Sequence, residues 1–199
     1  MEWTAAAIAE ACGRPRGIRG VLITGAKGGF GDAQGSSRGL SGPADLKWLL
    51  SQRSLADRLV VSYGTAIREG YPALWRSSGE YAELRELLQL PAALEVVVVS
   101  DDAQRRAAAR SSGFTALAFE TLVAEVTLHD GAAWSCEGGP VLIDRLAATG
   151  LLSELAWTTS PELAVDSTAV PELDEWRRRA HRSFHYELDG FTFDLSVSG

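Results

Sequence analysis

The chain has 199 residues, 46% hydrophobic and 23% charged, with 20 glycines and 7 prolines, a composition that excludes disordered and collagen-like classes. Its 19 Lys and Arg against 26 Asp and Glu leave a formal charge of −7, which argues against wholesale binding to nucleic acid or to an anionic membrane. Two cysteines, Cys12 and Cys136, are too few for a disulfide framework or a complete cysteine zinc site. The apolar run around Val96 to Val99 is far shorter than the roughly 20 residues of a membrane helix. Met1-Glu2-Trp3-Thr4 carries an acid where a signal peptide has a cationic stretch, so the expectation is a soluble, cytoplasmic protein. One domain over 1–199 is expected, in which 1–19 form an N-terminal helix and a basic linker.

Thr4 caps an expected Ala-rich helix from Ala5 to Cys12, closed by Gly13, and Arg14 to Arg19 read as the linker. Val21-Leu22-Ile23 is the first buried strand. A loop from Gly25 to Gly42 follows, with seven glycines counting both ends, and so long a loop in a compact domain is usually functional. Pro43 opens a helix with Leu46, Leu49 and Leu50 on one face. Strands are expected at Leu59-Val60-Val61, Glu95–Val99, Thr115–Phe119, Ala132–Cys136 and Leu155–Thr158. Helices are expected at Tyr81–Leu90, Ala103–Arg110, Thr121–Val126 and Pro140–Thr149, the last closed by Gly150. Asp166 to Pro171 is linker-like. Phe184–Leu188 and Phe191–Leu195 alternate apolar and polar about Asp189-Gly190, a strong hairpin signal. The whole predicts an α/β fold with a mostly parallel central sheet and an antiparallel C-terminal hairpin.

Two junctions share one design. After the strand ending at Ser62 come Gly64 and Thr65, then a helix-like Ala66-Ile67-Arg68. After the strand ending at Cys136 come Glu137, Gly138 and Gly139, then the helix opened by Pro140. Glycine lets backbone N–H groups approach a ligand, a helix N-terminus favours an anion, and ligands of open α/β sheets bind at such strand ends. Lys27-Gly28-Gly29 follows a strand but lacks the Gly-Lys-Ser/Thr that a P-loop needs, since Gly31 is followed by Asp32, so an NTPase is rejected. His181 and His185 stand four apart with no acidic third ligand beside them in sequence, and no metal is expected. Trp176-Arg177-Arg178-Arg179 reads as a solvated helix face, and no Gly-x-Ser-x-Gly elbow supports serine catalysis.

Three ordered segments resemble the riboflavin-biosynthesis pyrimidine reductases, the reductase half of the bifunctional deaminase-reductase. They are Gly39-Leu40-Ser41-Gly42-Pro43-Ala44-Asp45, the stretch from Ala56 to Tyr71, and Cys136-Glu137-Gly138-Gly139-Pro140-Val141-Leu142 running on to Ser160-Pro161. The resemblance implies a three-layer αβα domain of the dihydrofolate reductase-like fold, a homodimer, and hydride transfer from NADPH, with NADH as the alternative donor. The hydride would reach C1′ of a ribosylamino-pyrimidine 5′-phosphate or a related pyrimidine or pteridine. It places Ser41, Gly64, Thr65, Gly138 and Gly139 at the cofactor, and Ser37, Arg76 and Glu137 at the substrate, Arg76 holding its phosphate. Glu69 is then the carboxylate that assists proton movement at the sugar.

The chain departs from that family in having fewer residues between Trp75 and Glu137, in a short tail beyond Pro161 without the family's Gly-rich segment, and at two motifs. Ala26-Lys27-Gly28-Gly29 stands where the family has Ser-Leu-Asp-Gly, and Ser100-Asp101-Asp102 puts acids where a 2′-phosphate would sit. These departures carry the alternative reading of a divergent, non-catalytic member that binds a nucleotide-like ligand or a protein partner.

Overall fold

The computed structural model describes residues 1–32, 36–129, 131–165 and 168–199. In chain order the elements are α1 (Ala5–Cys12), β1 (Gly17–Thr24), α2 (Pro43–Ser54), β2 (Arg58–Ser62), α3 (Tyr63–Arg68), β3 (Leu74–Arg76), α4 (Glu80–Leu87), β4 (Ala93–Val99), α5 (Ala103–Ser111), β5 (Thr115–Leu117), α6 (Phe119–Leu128), β6 (Ala133–Cys136), α7 (Pro140–Ala148), β7 (Leu152–Thr159), α8 (Pro171–Arg179), β8 (His181–Leu188) and β9 (Phe191–Val197). Among the described residues nine strands form one sheet in the order β3-β4-β2-β6-β1-β7-β9-β8, and β5 also pairs with β4. The centre is parallel, and β3, β9 and the terminal hairpin supply the antiparallel pairs.

Strand residues alternate between faces, so an unbroken apolar run feeds two cores. Val60, Val97 and Val99 pack under α6, α7 and α8, while Leu59, Val61, Val96 and Val98 pack on the opposite side with Ala66 of α3 and Ala109 of α5. On that second side α1 and α2 cover Val21 and Ala156 through Ile8 and Trp48. Helices on both faces of a mostly parallel sheet make the expected αβα sandwich. Trp3 stacks on Tyr186 with ring centroids 4.9 Å apart, fastening the N-terminal segment to the hairpin.

Thr4 caps α1 by accepting from the Ala7 N–H, and Asp189 and Gly190 turn the hairpin with φ of 52° and 81°. Both were encoded locally. Elsewhere the boundaries differ from expectation. The supposed linker is partly strand, because β1 begins at Gly17 and Arg19 lies fully buried within it. Glu154 on the neighbouring β7 makes that possible by accepting from Arg19 Nε at 2.8 Å. In α2 the inward side chains are Trp48, Ser51, Gln52 and Ser54, whereas Leu46 is 50% exposed. Ser51 and Ser54 satisfy their hydroxyls on Lys47 O and Leu50 O, so a polar face can be buried there. The short edge strand β3 was not foreseen, and Phe119, expected to end a strand, begins α6. Pro171 opens α8, while Asp166 and Ser167 of the expected linker lie outside the described residues. His181 and His185 both fall on β8 rather than on a helix.

Candidate active site

The C-terminal ends of β1, β2 and β6 open into a cleft of about 520 Å³. At the β2 end, Ser62 caps α3: its Oγ accepts from Thr65 N at 3.1 Å and donates to Thr65 Oγ1 at 2.9 Å. Thr65 Oγ1 in turn donates to Gly138 O at 3.2 Å, so one hydroxyl chain ties the two glycine junctions together. Thr65 therefore has its hydroxyl proton and its backbone N–H committed within the protein.

The glycines differ in what they do. A Cβ on Gly138 would stand 2.3 Å from Leu142 Cδ2 and 3.0 Å from Ser62 N, so this glycine serves the close packing of β6 against β2 and α7. A Cβ on Gly64 would meet nothing within 4 Å. Gly139 has φ +78°, where glycine is favoured, and it begins α7 with no side-chain cap. An uncapped helix start with Pro140 at its first position leaves backbone donors and the positive end of the helix dipole facing the cleft.

The floor is ionic. Glu137 is buried and accepts from Arg53 Nε at 2.8 Å and Nη2 at 2.6 Å, and from Tyr71 Oη at 2.6 Å. Arg85 donates to Ser54 O and Ala56 O, closing the C-terminal end of α2 that carries Arg53. Burial lowers the proton affinity of Arg53, but Glu137 and Tyr71 outweigh it, so the guanidinium stays charged. Burial, and then the charge of Glu137, push the Tyr71 hydroxyl well above its ordinary value.

Asp45 lies in the first turn of α2, buried, and lines the same cleft. Its carboxyl accepts from Ser41 Oγ at 2.5 Å. Burial raises its pKa and Glu137 adds to the rise, against the opposing hydrogen bonds of Ser41 and Thr158. Its proton affinity thus lies above that of an ordinary aspartate.

Eight of the nine site residues expected from sequence line this cleft: Ser37, Ser41, Gly64, Thr65, Glu69, Glu137, Gly138 and Gly139. Arg76 does not. It lies on the β3 edge, opposite Ala93 and exposed. Glu69 Oε1 and Oε2 accept from Ser36 Oγ at 3.0 Å and Arg38 Nε at 2.9 Å. The acids expected to oppose a 2′-phosphate have structural employment: Asp101 accepts from Phe119 N and pairs with Arg145, and Asp102 caps α5. Sequence reasoning gave no role to Arg38, Asp45, Arg53 or Tyr71. For Asp45 a local signal existed, since Ser41 stands one turn before it at the mouth of a Pro-initiated helix. For Arg53 none did, because Glu137 is 84 residues away.

No protein-family model and no curated protein sequence matches the chain. Solved structures do. A pyrimidine reductase-like protein from Corynebacterium diphtheriae superposes with a TM-score of 0.72 at 16% identity, covering 96% of this chain and 94% of that one. RibD of Acinetobacter baumannii gives 0.67 at 15% identity over 96% of this chain, which spans 60% of RibD. Dihydrofolate reductase from Enterococcus faecalis, solved with NADP(H), gives 0.60 at 16% identity over 90% and 95% of the two chains. The chain thus has the dihydrofolate reductase-like fold that these proteins share.

Proposed function

We propose that the chain is a nicotinamide-dependent reductase, with NADPH the expected donor and NADH the alternative. Its substrate is a ribosylamino-pyrimidine 5′-phosphate or a related pyrimidine or pteridine. The observation that carries the reading is the buried Asp45 carboxyl, held by Ser41, inside the cleft that both glycine junctions line. The fold likeness supports it as analogy.

The residues fit a dinucleotide. Gly64, with open space where a Cβ would stand, and the uncapped start of α7 at Gly139 would border its phosphates. A reduced nicotinamide bound there supplies hydride. The protein's own work is orientation and proton placement. Asp45 lies where it could pass on the proton that reduction of a C=N bond needs at nitrogen, and the upward direction of its pKa favours that role. Glu69, the carboxylate that the resemblance would use, has both oxygens engaged by Ser36 and Arg38. Phe30, Leu46 and Val141 present apolar surface to the cleft and exclude water from a planar ring. The Arg53–Glu137–Tyr71 cluster fixes the polar floor.

Titration of the protein with NADPH and NADH, read by tryptophan quenching and nicotinamide fluorescence, tests this directly. Saturable NADPH binding is expected, and Gly64→Val should weaken it at least 10-fold with an unchanged melting temperature, since the new side chain enters open cleft rather than core. Failure of both dinucleotides to bind would replace this reading with that of a non-catalytic binder of a nucleotide-like ligand or a protein partner.

A further inference from the structure

With Arg76 outside the cleft, the charge that meets a substrate is set by the cleft lining itself. Among the described residues that lining holds three carboxylates, Asp45, Glu69 and Glu137, and three guanidiniums, Arg38, Arg53 and Arg68. The guanidiniums are engaged within the protein. Arg38 Nε donates to Glu69 Oε2 at 2.9 Å and its Nη2 to Glu69 O at 2.6 Å, while Ser36 Oγ donates to Glu69 Oε1 at 3.0 Å. Arg53 is held by Glu137 on the floor, and Arg68 has an interaction of its own. Ala33, Gln34, Gly35, Asp130, Asp166 and Ser167, the residues outside the described set, add no cation to the sequence. What the wall leaves uncovered is apolar. Leu46 and Val141, near the starts of α2 and α7, are 50% and 58% exposed, and Phe30 and Leu49 line the cleft with them.

We propose that Glu69 determines specificity: by neutralising Arg38 it makes the cleft select an uncharged planar heterocycle, a pyrimidine or pteridine without a phosphate. The inference rests on the reductase reading for what is reduced, and deepens it by choosing among the substrates that reading allows. A phosphate dianion loses hydration on entering the cleft, and only a surplus of positive charge offsets that loss. Here a phosphate that approaches Arg38 also approaches the Glu69 carboxylate, so attraction and repulsion cancel. A neutral ring loses far less hydration and covers Leu46 and Val141. The dinucleotide's own phosphates would meet the backbone N–H groups at the start of α7 instead.

Calorimetric titration of the full chain with uridine and with uridine 5′-monophosphate, two probes that differ only in the phosphate, tests the proposal. The wild type should bind uridine saturably and the monophosphate no more tightly. Glu69→Gln keeps the shape of the side chain and releases the Arg38 charge, so it should raise monophosphate affinity relative to uridine about 3-fold at low salt. That gain should fade toward about 0.5 M salt, which a loosened fold would not produce. Arg38→Gln should move the ratio the opposite way. Val141→Asp puts a charge on the apolar wall at an exposed position, and should weaken uridine about 10-fold with an unchanged melting temperature. Tighter monophosphate binding by the wild type, no saturable uridine binding, or an unmoved ratio in Glu69→Gln would each overturn it. NADPH titrated separately keeps the two readings apart. Dinucleotide binding with the monophosphate preferred removes the selectivity and leaves the reductase. Uridine preferred without dinucleotide binding leaves the selectivity and removes the reductase.

Discussion

Among the described residues two arginine–glutamate pairs are buried, and they do different work. Arg19 and Glu154 join adjacent strands with side chains 0% and 7% exposed. Arg19 Nη1 donates to Gln52 Oε1, its Nη2 donates to the carbonyls of Cys12 and Gly13, and Glu154 Oε1 accepts from Arg16 N. That network stitches the end of α1 to α2, β1 and β7. Arg53 and Glu137 are nearly as enclosed, at 13% and 4%, yet they form the floor of the cleft. Both also bond Tyr71, and the charge of Glu137 reaches Asp45. A closed network of this kind stabilises one arrangement of the chain. A network with one side open sets the charge that a ligand meets.

The comparison is broken most forcefully at Glu154. Glu154→Gln leaves the guanidinium of Arg19 uncompensated in the interior, and the loss should be about 3–5 kcal/mol, as for other buried pairs deprived of one partner. For a chain of this size that lowers the melting temperature by on the order of 10 °C. Dinucleotide affinity of the remaining folded protein should be unchanged, and a matching loss of affinity would show that the sealed network also shapes the cleft. Glu137→Gln should cost less stability, about 1–3 kcal/mol, because the cleft admits water to Arg53. Its larger effect is functional. Removing the Glu137 charge removes one of the two influences that raise the Asp45 pKa, so the alkaline limb of the rate–pH profile should move to lower pH. An unmoved limb would detach Asp45 from the proton step.

The same contrast explains which parts of the molecule were legible in sequence. Features whose cause is local were readable: Thr4 and Gly13 around α1, Asp189-Gly190 in the hairpin, and glycines following the ends of β2 and β6. Arg19 was misread as linker because its justification, Glu154, lies 135 residues away. Arg53 escaped notice for the same reason, and the polar inner face of α2 ran against the expected leucine stripe. The glycine pattern located the cleft without separating roles within it. The sequence suggests that Gly138→Val would block a cofactor and spare the fold. The 2.3 Å approach to Leu142 and the 3.0 Å approach to the Ser62 backbone make it a folding lesion instead, and leave Gly64 as the position that tests the cleft.

The finest test of the comparison is Tyr71→Phe, which removes the neutral member of the open network and leaves both charges. The hydroxyl donates to Glu137 Oε2 at 2.6 Å and accepts from Arg53 Nη2 at 3.1 Å, while Arg53 still holds Glu137 by two nitrogens. The expected loss at neutral pH is about 1.5–3 kcal/mol, that of a hydrogen bond to a charged partner. The pH dependence carries the argument further. The folded-state pKa of Tyr71 is raised well above its model-compound value of 10.0, so the folded protein keeps the phenol proton when the unfolded chain releases it. Stability from this residue is therefore fully present below pH 10 and falls as pH rises above it. Phenylalanine has no such proton, so the wild-type advantage should shrink steadily in alkaline denaturation curves and be constant below pH 9 or so. Tyr81, also raised by burial, titrates in both proteins and cancels in the difference. An advantage that stayed constant through alkaline pH would mean that Tyr71 ionises freely in the folded chain, and that the floor of the cleft is as open to water as the protein surface.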